Sequence, residues 1–219
     1  MTKLDEIAVN IELVLISLIE GVALVMLAEA TVEAFQEPDW YRYILYELAG
    51  LAVLLVFWAQ SILHAMSFIR WPVRVEHMLL YFVCAFLQIV AYASILHIGE
   101  WFFWWSLFSV AAMGMYFLDL WVLRDSYKSF AKLKDGESFL KQVEARHIFE
   151  MMYLVPLALA FNVLAALSVY LFPAYYINAW IYAIPGALQL LFSLLVLYDC
   201  TRNFRTRSVM IGALFSGDK

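Results

Sequence analysis

IAVNIELVLISLIEGVALVMLA, residues Ile7 to Ala28, is an apolar run broken by only two charges, Glu12 and Glu20. A helix rises about 1.5 Å per residue, so about 20 such residues reach across a hydrocarbon core roughly 30 Å thick. The run is too long for the apolar part of a secretory signal and shows no small-residue cleavage site, so it reads as a retained span. Five more runs of similar length follow, Ile44 to Ile69, Met78 to Ile98, Trp101 to Leu123, Ile148 to Phe172 and Tyr175 to Tyr198. Backbone groups in lipid need partners within their own segment, and none of the runs shows the short alternation of barrel strands. The expected fold is an all-α integral membrane protein, a six-transmembrane-helix bundle forming one polytopic domain over residues 1–219.

Composition agrees. Of the 219 residues 65% are hydrophobic and 15% charged, against about 25% charged in a soluble domain. A water-soluble core of this size could not absorb the apolar excess. Cys84 and Cys200 stand far apart in apolar surroundings, which argues against a disulfide framework or a zinc site.

The basic residues set an orientation. With the N-terminus inside, the inner segments hold Lys3, Arg70, Arg74, Arg124, Lys128, Lys132, Lys134, Lys141, Arg146, Arg202, Arg205, Arg207 and Lys219, leaving only Arg42 outside. The positive-inside rule therefore predicts both termini in the cytoplasm, and the expected location is a bacterial inner (plasma) membrane. Residues 124–147 become a cytoplasmic connector, with a turn at Asp135-Gly136 and a helix from Ser138 feeding the fifth span, and 199–219 a basic tail. Three aromatic clusters read as interfacial belts: Trp40, Tyr41, Tyr43 and Tyr46; Trp101, Trp104 and Trp105; Tyr175, Tyr176 and Trp180.

Polar residues inside the spans are the candidate functional groups. A carboxylate at mid-bilayer costs roughly 2.5 to 3.5 kcal/mol on insertion scales, so Glu20 needs an offsetting interaction. No Lys or Arg lies inside a span. Glu20 is then either neutral and ready to trade protons or charged beside a bound cation. Helical spacing puts Asn10, Ser17, Gly21, Ala28 and Thr31 on one small, polar stripe with Glu20 at its edge. Gln60, Gln88, Ser109, Asn162 and Gln189 supply one polar group to each remaining span, and together with Glu20 and Ser17 form the expected ion-binding or permeation route. The third span carries a face of His77, Tyr81, Cys84, Gln88 and Tyr92.

Glu29, Glu33 and Glu37 recur every four residues and predict an outer acidic entrance that concentrates cations. Pro38 ends that helix. An inner polar cluster collects His64, His77, Asp119 and His147, with Glu76, Glu144, Glu150 and Asp199 near the same level. Glu144-x-x-His147 has the spacing of half a di-iron site without its second half, and His64 is a formal haem ligand. No cofactor is expected and no metal is assigned. Asp119 and Asp199 are expected to pair with Arg124 and Arg202. Pro156, Pro185 and Gly186 interrupt the last two spans and free backbone carbonyls. Tyr46-Glu-Leu-Ala-Gly50 and Tyr182-Ala-Ile-Pro-Gly186 are similar enough to raise an internal repeat.

Six spans with cytoplasmic ends, Phe57-Trp58 and His64 in the second span, and Glu76-His77 opening the third resemble bacterial relatives of the lysosomal potassium channel family. The Phe-Ser-Asp signature of that family is absent from the first span, so the resemblance implies architecture only. The sequence favours a cation channel or transporter subunit, assembled as a homo-oligomer around Glu20. The alternative is a non-transporting sensor, effector or scaffold that meets a soluble cytoplasmic partner or membrane lipid through its basic loop and tail. A membrane-embedded metal or haem enzyme ranks third, since no histidine box, nucleophile elbow, Walker loop or H-E-x-x-H motif is present. No specific nucleic-acid binding is expected.

Overall fold

The computed structural model describes residues 3–67, 75–130 and 136–216. Among them every long element is a helix: α1 (Lys3–Ala34), α2 (Ile44–Ser67), α3 (Val75–Ala93), α4 (Ile98–Phe130), α5 (Gly136–Phe149), α6 (Val155–Leu171) and α7 (Ala179–Ser216). A wide π-turn, Glu150–Leu154, joins α5 to α6 without a break, and short 3-10 turns stand at Trp40–Arg42 and Pro173–Ile177. Six helical stretches are long and apolar enough to cross a membrane: Leu13–Ala34, Ile44–Ile62, Val75–Ala93, Ile98–Arg124, Leu140–Leu171 and Trp180–Phe204. The architecture fits a multi-pass integral membrane protein.

Two boundaries differ from the hydropathy reading. The third helix stops at Ala93 and a tight turn follows, closed by Ser94 N–H to Ala91 O at 3.0 Å and His97 N–H to Ser94 O at 2.9 Å. Ile95 and Ile98 beside this turn are buried, so the apolar pattern runs straight through it. The fourth helix continues past Leu123 to Phe130, so the first part of the expected connector is helix.

α1 packs on α2 and α3, α3 on α4, α4 on α6, and α2 on α7. The helices thus follow one another through packed neighbours in the order α7, α2, α1, α3, α4, α6. The buried stripe of α1 is Ile16, Glu20, Ala23, Leu27, Ala30 and Ala34, while Val14, Leu18, Val25 and Val32 face outward. Small residues inside and branched ones outside are what helix packing in lipid favours, because close backbone approach, not apolarity, distinguishes the interface.

At the end of the bundle away from the termini, Tyr46, Tyr92, Trp101, Phe102 and Trp105 form a closely packed aromatic core. The Tyr46 ring meets those of Trp101, Phe102 and Tyr182 edge-on at 5.5 to 6.0 Å. Tyr46 Oη donates to the Tyr182 carbonyl at 2.6 Å, one residue beyond the carbonyl that Pro185 deprives of its helical donor. Gly186 permits this approach, since a Cβ there would lie 3.1 Å from the Tyr46 ring. Gly50 instead receives Tyr92, Leu27 and Trp101, so the two similar five-residue segments meet different surroundings. Tyr46, Trp101 and Trp105 were expected at a membrane interface and belong to the core, because Tyr46 and Trp101 find hydrogen-bond partners within the bundle and the Trp105 ring packs on Tyr92, Trp101 and Phe108. Trp40, Tyr41, Tyr175 and Trp180 are the cluster members left on the surface.

The π-turn has a local cause. Pro156 lacks an N–H and its ring crowds the carbonyl four residues earlier, and widening the preceding turn relieves both.

Candidate functional site

Two polar sites lie inside the bundle. The first joins α1 to α3. Glu20 is 4% exposed, and its Oε1 accepts a hydrogen bond from Tyr81 Oη at 2.9 Å. The Tyr81 ring stacks on Phe57 of α2 at 5.2 Å. Two turns along α3, Gln88 Nε2 donates to Tyr92 Oη at 2.7 Å, and Tyr92 donates to the Gly50 carbonyl at 3.0 Å. Glu20 Oε2 and Gln88 Oε1 are both buried acceptors without a hydrogen-bond partner among the described residues. Neither α2 nor α3 contains a Lys or Arg. Tyr81, Cys84, Gln88 and Tyr92 all point inward, as the spacing along the third span predicts.

Ser17 stands apart from this pair. With Asn10, Gly21 and Ala28 it lies on the exposed face of α1, and no atom comes within 4 Å of a Cβ built at Gly21. The small polar stripe is therefore an outer face of the single chain, not part of its interior.

The second site is a central cavity of about 230 Å³. Gln60, Ser109, Asn162 and Gln189 line it among the rings of Phe57, Tyr81, Trp105, Phe108, Phe161 and Phe192. Gln189 Oε1 accepts from Trp101 Nε1 at 2.8 Å. Ser109 and Ser193 donate to the carbonyls of Trp105 and Gln189 in their own helices, each at 2.8 Å. Glu20 and Gln88 are not on this wall, so the one-route arrangement expected from the sequence is divided in two, with Tyr81 the shared side chain.

At the termini end the cavity meets His77, Asp119 and His147. His77 Nε2 lies 3.4 Å from Asp119 Oδ1, and His147 Nε2 lies 3.4 Å from Asp119 Oδ2. His147 Nδ1 also lies 3.2 Å from the Val143 carbonyl. Three of the four residues expected in the inner polar cluster thus converge; the side chain of His64 lies outside the described residues.

Beside them Arg146 Nε donates to Glu150 Oε1 at 2.6 Å and its Nη2 pairs with Asp199. Gln60 Nε2 reaches Cys200 Sγ at 3.1 Å and Glu150 Oε1 at 3.4 Å, and Asn203 donates to Asp199 at 3.2 Å. This cluster ties α5, α2 and α7 together. The pairings expected for the aspartates are replaced: Asp119 sits between histidines, Arg124 pairs with Glu144 at 3.3 Å, and Asp199 takes Arg146. The reason is geometric, because the helix beginning at Gly136 brings Arg146 and Glu144 alongside α7 and α4. Glu144 and His147 accordingly turn to different partners, and among the described residues no group of three or more His, Cys, Asp or Glu could hold a metal ion.

Glu29, Glu33 and Glu37 are all exposed at the opposite end, with Glu37 beyond the end of α1. Glu47 in the first turn of α2 is a buried carboxyl that spacing arguments passed over, and its Oε1 has no hydrogen-bond partner among the described residues. On the surface Lys141 pairs with Glu137 at 2.7 Å, and this bond holds the Glu137 carboxyl below the usual carboxylate range. Lys132 and Lys134 lie outside the described residues.

Fold and sites together describe a helical bundle with six stretches long and apolar enough to cross a membrane and a buried carboxyl beside a cavity. No family model, curated protein or solved structure matches the chain.

Proposed function

We propose that this chain is a subunit of a cation channel or transporter in which Glu20 binds the moving ion or proton. The observation carrying this reading is a carboxyl buried at mid-span, with one oxygen held by Tyr81 and the other, Oε2, without a hydrogen-bond partner among the described residues although the Gln88 side chain is close by. A proton on Oε2 or a cation beside it would satisfy that oxygen, and in both cases the occupant is positive. The distribution of basic residues supports an orientation with both termini in the cytoplasm, and the membrane proposed is a bacterial inner membrane. The uncovered stripe of Asn10, Ser17, Gly21 and Ala28 on α1 supports assembly with further copies, since Asn10 and Ser17 would otherwise face lipid. Glu29, Glu33 and Glu37 then form the acidic approach on the outer side.

Purified protein in liposomes should pass K⁺, Na⁺ or H⁺, and Glu20→Gln should lower that flux about tenfold or more while Tyr81→Phe lowers it less. Vesicles that stay tight with normal protein content, or a flux indifferent to Glu20→Gln, would reject the proposal.

A second reading, a sensor or scaffold acting through cytoplasmic helices, draws on the length of α7. Its 38 residues run about 57 Å, well beyond a bilayer core, and the helix continues past Phe204 with Arg205 and Arg207. Charge reversal at Lys132, Lys134, Arg205 and Arg207 should abolish capture of a soluble partner if this reading holds.

A further inference from the structure

Away from the His77, Asp119 and His147 group, the cavity wall has a buried donor and a buried acceptor without partners among the described residues. Asn162 on α6 is 6% exposed and its Oδ1 accepts no hydrogen bond among the described residues. Trp105 on α4 is 2% exposed and its Nε1–H donates to nothing there. Both line the cavity, and their helices pack against each other. Of the neighbouring polar atoms, Gln189 Oε1 accepts from Trp101, and the Ser109 and Ser193 hydroxyls donate to carbonyls of their own helices.

A buried amide oxygen and a buried indole N–H ask for opposite things, so a matching ligand head must both donate and accept. An ammonium has no acceptor, and an ether or ketone has no donor. A hydroxyl has both. Phe57, Phe108, Phe161 and Phe192 on the same wall offer no hydrogen bonds and suit an apolar body. At about 30 Å³ for each water in the liquid, a cavity of about 230 Å³ exceeds what one bridging water fills.

We infer that the cavity is a binding site for a small lipophilic alcohol or phenol. Its hydroxyl donates to Asn162 Oδ1 and accepts from Trp105 Nε1, and its apolar part lies among the phenylalanine rings. The observations behind this inference, at Asn162 and Trp105, do not involve Glu20, although Tyr81 touches both sites.

Equilibrium dialysis of the full-length protein in nanodiscs against 1-naphthol, naphthalene and 1-methoxynaphthalene, with protein-free nanodiscs as reference, tests it. The expected result is saturable binding of one 1-naphthol per chain, several-fold tighter than either analogue. Asn162→Leu and Trp105→Phe should each weaken 1-naphthol binding about fivefold, the worth of one hydrogen bond, and leave naphthalene within about twofold. Trp105→Phe keeps a ring in place and serves if Asn162→Leu does not fold. Uptake no greater than in protein-free nanodiscs would overturn the site. Equal binding of all three probes, unmoved by either substitution, would leave water as the partner of these atoms and overturn it as well.

Discussion

The two ends of the bundle hold their helices together by different means. Away from the termini, Tyr46, Trp101 and Tyr92 pack ring against ring, and their polar tips bond to neutral groups, carbonyls or amides. At the termini end the joints are built from ionisable groups: an ionic one, Arg146 between Glu150 and Asp199, and Asp119 between two histidines. Neutral hydrogen bonds with tight packing make a closed, short-range plug that tolerates no added volume. Ionic joints reach further and bind more strongly, but each depends on a partner's charge, so that end can respond to protons or ions. The cavity lies between the two, under the plug and above the ionic cluster.

The strongest way to break this contrast is Arg146→Met. It leaves Glu150, 1% exposed, without its cation, and a buried charge deprived of its partner destabilises by about 3 to 5 kcal/mol. Unfolding in detergent should show that loss, and the double substitution Arg146→Met with Glu150→Gln should recover most of it. If the single variant unfolds like the parent, the termini end is not held by charge.

Gly186→Val attacks the other end. Its side chain would press on the Tyr46 ring and on Leu45 Cβ, 3.1 and 3.2 Å from the new Cβ, and overpacking of this kind costs about 1 to 3 kcal/mol. A thermal midpoint unchanged by the valine would show that α2 and α7 are less tightly joined than the ring contacts imply. The smallest expected effect comes from Trp101→Phe, which keeps a ring in the plug but removes the donor to Gln189 Oε1. A loss of about 0.5 to 1.5 kcal/mol is expected, and Gln189→Leu in the same background should add little, since the pair acts as one bond.

How far the sites were legible depended on the kind of signal. His77, Tyr81, Cys84, Gln88 and Tyr92 recur every three or four residues, and that rhythm predicted one face, which lies inward. The convergence of His77, Asp119 and His147 followed from their shared depth at one end of three helices. Ser17 and Glu20 looked like neighbours on one stripe, yet a 60° step around α1 separates the outer face from the buried one. Trp105 read as an interfacial aromatic because Trp favours both settings, an interface and a core where its N–H is buried. Arg146 looked like one more positive charge on the cytoplasmic side, and only its place beside α7 reveals a double ion pair.

From residue order alone came the number of crossing helices and their approximate limits, because the demand for about 20 apolar residues is local to each segment. Which side of each helix faces a neighbour, where the cavity lies, and that Glu20 is separated from it by Tyr81 came only from the packed bundle. In lipid the outside of a helix is as apolar as the inside, so hydropathy that marks a span carries almost no information about which way it turns.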